Sequence, residues 1–300
     1  MDTKQKEQWQ QGSKLLKKGQ FHEAAALLDR LNNQVDDFRV NLALTFAEYQ
    51  DQQYLRARQI AEERAADYLK TLKDAELLIN VEIADQQFMT ARRQIAMVRQ
   101  WQEQLLPLVE AGEQKAETTM MTSVKTRWRE FYHLGDKSFR EQQQRLLAAS
   151  RLPLPYYLKG ALFLLRDPFT NPLIRSSILE TLQPLKIERQ AKVYWLDEQE
   201  HELNLAQLQP IDSLPVVQQL RQMVETRYRD KDPVSYQTIS RELNLQFIYL
   251  YPFLSLAIDE PKSWLSALTS SGNMVQRDEG VEKALRWQRR INRLVTRISH

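Results

Sequence analysis

The chain has 300 residues, 42% hydrophobic and 27% charged, enough apolar material to bury a core in about two domains. It has no cysteine, which excludes a disulfide framework, a thiolate metal site and a cysteine nucleophile. Its net charge of +3 is uneven: residues 281–300 carry six Lys/Arg against one Glu, leaving the other 280 at −2. Only seven Gly and eleven Pro punctuate it, which favours helices over many short strands. No apolar run approaches the roughly 20 residues of a spanning helix. The opening MDTKQKEQWQ also lacks the apolar stretch of a signal peptide. The expectation is a cytoplasmic protein that does not enter the membrane.

In chain order, the first pattern is a repeat. DQQYLRARQI at 51–60 returns as DQQFMTARRQ at 85–94, and GQFHEA at 19–24 is a shorter copy upstream. The aligned pairs are Phe21/Ala24, Tyr54/Ala57 and Phe88/Ala91, at steps of 33 and 34 residues. An aromatic followed three residues later by alanine, at that period, resembles the tetratricopeptide repeat. The small alanine lets helix B approach helix A, while the aromatic closes the turn. Gly19 gives the first turn a permissive backbone; Gln52 and Gln86 stand there in the later copies and match less well. Leu28 and Leu31 follow Ala24, and Ile95 and Val98 follow Ala91, on one helical face. In the second copy the equivalents are Ala61 and Arg64, so the stripe weakens. From Phe88 onward the pattern predicts one helix to about 106, ended by Pro107, and another from about 113 to 132. The cluster Trp128, Phe131 and Tyr132 reads as core between helices.

Pro153 and Pro155 mark a boundary near 150. The expected domains are a helical repeat domain, 1–150, and a helical C-terminal domain, 151–300. In the latter, Pro172 suits a first helical turn, and Asp167 and Arg175 resemble the paired residues of a HEAT repeat. AKVYWL and HELNL alternate around a turn, predicting one β-hairpin at about 190–206. Helices resume at about 215–230 and 233–250. SYQTISRELNL at 235–245 resembles the first helix of a helix-turn-helix, but the apolar stretch after it is unsuited to reading base edges. The blocks LPLP, NPLIRSSILETL, the hairpin and LYPF together resemble an uncharacterised tetratricopeptide-like family of Gram-positive bacteria. That resemblance implies an architecture and no activity. The fold expected is mainly α: tetratricopeptide-type hairpins, then a helical domain with one small β-hairpin.

Nothing points to catalysis. No phosphate-cradling glycine loop occurs, and no two of the four histidines stand at metal-ligand spacing. Neither a cofactor nor a metal is expected. Repeat arrays present a continuous surface built from successive units, and tetratricopeptide repeats expose helix A on the concave face. In this register the groove candidates are Trp9, Ser13, Leu16, Arg39, Leu42, Phe46, Tyr49, Lys73, Glu76 and Asn80. Their aromatic and basic mix suits an extended peptide with an apolar anchor and an acidic group. The expectation is a non-enzymatic scaffold or adaptor. The alternative is RNA or ribosome association through a basic terminal helix, 281–298. There Lys283, Arg286, Arg290, Arg293 and Arg297 form a stripe opposite an apolar face.

Overall fold

Gly19, Gln52 and Gln86 share a left-handed backbone, with φ of 72°, 61° and 61°, and each turns one helix back on the one before it. The computed structural model that shows this describes residues 1–269 and 279–298. The helices joined by these turns are α1 (Thr3–Lys17) and α2 (Phe21–Asn32), α3 (Phe38–Gln50) and α4 (Tyr54–Glu62), with α5 (Ala65–Tyr68) following, then α6 (Leu72–Ala84) and α7 (Phe88–Met97). All three turns close alike. The N–H of Gly19, Gln52 and Gln86 donates to the carbonyl three residues back, and the next N–H to the carbonyl five back. These paired bonds satisfy the last carbonyls of the first helix. Helices α2, α4 and α7 start without a side-chain cap, while Asp2, Asp37 and Thr71 cap α1, α3 and α6.

Ala24, Ala57 and Ala91 are fully buried, as expected of the small residue at the closest helix approach. Gly12 does the same on α1: a Cβ there would stand 2.8 Å from Leu28 Cδ2. Ion pairs link one hairpin to the next. His22 meets Asp51 at 3.0 Å, and Arg58 meets Asp85 at 2.8 Å. Arg92 and the buried Glu113 make a two-pronged pair at 2.7 Å.

Three expectations are corrected. The helix begun at Phe88 ends at Met97, not near 106, because Val98 leaves the helical region (φ −118°, ψ 59°). Pro107 lies inside α8 (Gln102–Thr119). The carbonyl that it leaves unbonded is that of the exposed Glu103, which water can satisfy. The helix expected from 113 to 132 is two, since Met120 (φ −129°) separates α8 from α9 (Met121–Tyr132). The weak stripe at Arg64 also has a cause. Arg64 turns outward to Asp36 and Asp67, and α5 puts Tyr68 into the core instead. The Tyr68 hydroxyl bonds to Asn41 at 2.8 Å and to Thr45 at 2.7 Å, both buried.

By its contacts the chain divides into two units, Met1–Phe131 with Leu147–Lys159 and Tyr132–Leu146 with Gly160–His300. In the first, Phe131 is buried and stacks on Tyr157 at 5.1 Å; in the second, Tyr132 stacks on Phe163 at 3.9 Å. The remaining elements are α10 (Phe139–Ala149), α11 (Leu154–Leu164), α12 (Pro172–Leu182), β1 (Gln190–Tyr194) and β2 (Glu200–Asn204). After them come α13 (Pro215–Tyr228), α14 (Pro233–Leu250), α15 (Leu254–Ala257), α16 (Pro261–Thr269) and α17 (Glu279–Ile298). Among the described residues the fold is therefore mainly α with one small antiparallel hairpin. Asn171 caps α12 and Pro172 opens it. Arg175 donates to the Asp167 carbonyl at 2.8 Å, so the two residues meet through backbone. The hairpin buries Ala191 and Val193, and the Trp195 indole N–H holds it to the Leu250 carbonyl at 3.1 Å. Helix α14 runs unbroken through residues 235–245.

Candidate functional site

Helices α1, α3 and α6 are neighbours, each pairing with its own partner helix behind. All ten groove candidates lie on them, and none is buried. They divide by what they already touch. Trp9 and Leu16 lean on the cluster around Leu28, Leu31 and Leu44; Leu42 leans on the cluster around Tyr68. Phe46 meets Phe21 edge-on at 6.1 Å and Tyr49 meets Tyr54 at 5.8 Å. Phe46 nonetheless stays 38% exposed. Arg39 is exposed, but its guanidinium is held by Asp37 at 2.6 Å, and that bond keeps the Asp37 carboxyl below its ordinary range. Lys73 and Glu76 are exposed; Ser13 and Asn80 are half-buried. The surface thus offers one accessible phenyl ring, a free ammonium and a compensated guanidinium.

Behind this face the same helices carry two buried glutamates the repeat pattern did not reveal. Glu48 is buried, and the loss of water raises its pKa against the pull of Arg56, 3.4 Å away. Glu82, 34 positions later, is fully buried. Burial pushes its carboxyl up to about 7, opposed by the Arg58 charge. The signal was available in sequence: each glutamate stands four residues after a core leucine, Leu44 or Leu78.

The basic helix is docked. Ile291 is fully buried, Val281 and Ala284 nearly so, and the Gln288 amide donates to the Trp264 carbonyl at 3.0 Å. The stripe is divided. Lys283 pairs with Asp259, and Arg290 with Glu198 at 2.5 Å. Arg286 and Arg293 are exposed, with the Arg293 Nε donating to the Arg289 carbonyl at 3.4 Å. The Arg297 side chain lies outside the described residues.

Among the described residues no helix is long and apolar enough to cross a membrane. No group of three or more His, Asp or Glu among them is placed to hold a metal ion. No protein-family model, no curated protein and no solved structure matches the chain.

Proposed function

We propose that this chain is a non-enzymatic interaction protein of tetratricopeptide type, binding a partner protein or extended peptide on the face formed by α1, α3 and α6. The observation that carries this reading is the exposure of that face. All ten side chains projected onto it escape burial, while the alanines and leucines behind them are sealed. Phe46, with Leu42 beside it, would receive an apolar side chain, and Lys73 an acidic group. Repeat arrays bind in this way because stacked units offer one long surface without rearrangement. The groups with the most displaced pKa values, Tyr68, Glu82, Arg175, Tyr249 and Tyr251, are all buried, as structural rather than catalytic groups would be. The ion pairs of Lys283 and Arg290 favour this reading over RNA binding, because they compensate half of the four described stripe cations.

The test compares affinity capture by the wild-type chain and by the double variant Arg39→Glu, Lys73→Glu. Partners held on this face are lost from the variant. Partners retained by it, and lost instead when residues 160–300 are altered, would place the site elsewhere.

A further inference from the structure

The hairpin of the second unit presents an open edge. Its register pairs Ala191 with Leu203 and Val193 with His201. The closing bonds, Trp195 N–H to Gln199 and Leu205 N–H to Arg189, fix which residues face β2. Odd-numbered residues of β1 bond to β2, because bonding alternates along an antiparallel pair. The peptide groups of Gln190, Lys192 and Tyr194 therefore point the other way. Only one of them is engaged there: the Tyr194 N–H donates to the Leu165 carbonyl at 2.8 Å. Beyond that bond β1 and the end of α11 part, and a cleft of about 750 Å³ opens between them. Gln190 and Lys192 line one side, and Phe163, Arg166 and Pro168 line the other. The N–H and C=O groups of Gln190 and Lys192 have no partner among the described residues, and both residues are exposed.

We infer that this cleft binds an extended peptide carrying an acidic residue, which adds to β1 as a third strand. Unpaired edge groups at strand spacing match the hydrogen-bonding pattern of another extended backbone. The Leu165–Tyr194 bond begins that third-strand position. Charge fixes the peptide's character. Arg166 grips Glu200 at 2.9 and 3.3 Å, and Lys192 meets Glu202 at 3.3 Å. The Asp167 carboxylate accepts from the Phe169 N–H and the Thr170 hydroxyl. Of the three cations lining the cleft, Arg189 is the one without a carboxylate partner among the described residues. Behind the cleft, Arg175 is a buried cation bonded among the described residues to the Asp167 carbonyl and set over the Tyr194 ring at 5.5 Å. Three cations and three carboxylates line the cleft, and the buried Arg175 behind it adds one positive charge, so the incoming strand places a carboxylate against Arg189. The far wall, with Phe163 41% exposed, takes an apolar side chain.

The experiment pans a phage-displayed library of random dodecapeptides on the full chain and measures the selected peptide by fluorescence anisotropy. The expected peptide carries an acidic residue among β-formers. Its affinity falls about tenfold or more on Arg189→Glu, through loss of a charge-assisted contact. A similar fall is expected on Lys192→Pro, which removes an outward N–H and leaves the bonds to β2 in place. Affinity is unchanged by Arg39→Glu, Lys73→Glu on the repeat face. Protection of the Ala191 and Val193 amides, which bond to β2, from hydrogen exchange reports whether the hairpin survives. If Lys192→Pro does not fold, N-methylation of alternate peptide bonds in the selected peptide gives the same answer on the wild-type chain. The inference is overturned if no peptide is selected, if the peptide binds Lys192→Pro as tightly as wild type, or if methylation at every register is tolerated. Loss of binding on the repeat-face variant alone overturns it too, and supports the repeat-face reading instead. A dimer dissociated by Lys192→Pro, with no peptide bound, overturns it by giving the edge to a second copy.

Discussion

Glu82 shows how a repeat position without chemistry of its own can still set a pH dependence. Its side chain is fully buried, and the Gln94 amide donates to Oε1 at 3.2 Å. Glu82 Oε2 and Gln94 Oε1, both acceptors in the ionised pair, are buried without partners. One proton resolves both, because a neutral carboxyl donates from Oε2 to the amide oxygen and closes an acid–amide ring. The sign follows from the shift. The folded-state pKa, raised to about 7, exceeds the unfolded value of about 4.3. The folded state therefore binds more protons in between, and its stability is fully present below about pH 4.3 and lost as pH rises through about 7. Glu82→Gln keeps the shape and removes the titration. Urea unfolding should find the variant close to wild type at pH 5 and more stable than it at pH 8, by about 1–3 kcal/mol. Parallel wild-type and variant curves across that range would show Glu82 ionised throughout.

At the scale of elements, the turns decide how the repeats are spaced. Gln52 occupies a left-handed conformation that costs a residue with a Cβ roughly 1–2 kcal/mol, and its exposed side chain makes no bond in return. Gln52→Gly relieves that strain while loosening the unfolded chain, for a net gain of about 0.5–1 kcal/mol. Gly19→Ala, at φ 72°, should lose a similar amount; both are read from urea midpoints. The repeats were legible because Ala24, Ala57 and Ala91, with an aromatic before each, report the closest helix contact directly. Gln52 and Gln86 looked like weak matches to Gly19, since sequence shows a missing glycine but not the backbone bonds that hold a glutamine in its place. The break at Val98 was illegible for the converse reason. Pro107 is a strong breaker by type, yet an exposed position in the second turn tolerates it, and nothing in the residue types marks 98–101. The repeat face could be read residue by residue from the period. The β1 edge could not, because strand parity depends on where the turn closes.

Across the whole chain, a net charge of +3 conceals a basic terminal segment, and what that segment does depends on how its cations are compensated. Lys283 and Arg290 are engaged by Asp259 and Glu198, while Arg286, Arg289 and Arg293 are exposed. Docking does not depend on those exposed cations. Ile291→Ala should cost about 2–5 kcal/mol, as expected for a large-to-small change at a fully buried site. Arg286→Ala and Arg293→Ala should each stay within about 0.5 kcal/mol. Calorimetric unfolding separates the two classes. The same partition fixes how the chain responds to nucleic acid. Each phosphate neutralised on a single strand contributes about −0.7 to the log–log salt slope, so three exposed arginines give a slope near −2. Anisotropy of a labelled single-stranded RNA, titrated at several salt concentrations, should show weak binding with a slope no steeper than that. Asp259→Asn with Glu198→Gln releases Lys283 and Arg290 and should steepen it towards about −3.5. A wild-type slope already at that value would mean that both cations leave their carboxylates for phosphate, and would turn the reading of α17 from a docked helix into a nucleic-acid contact.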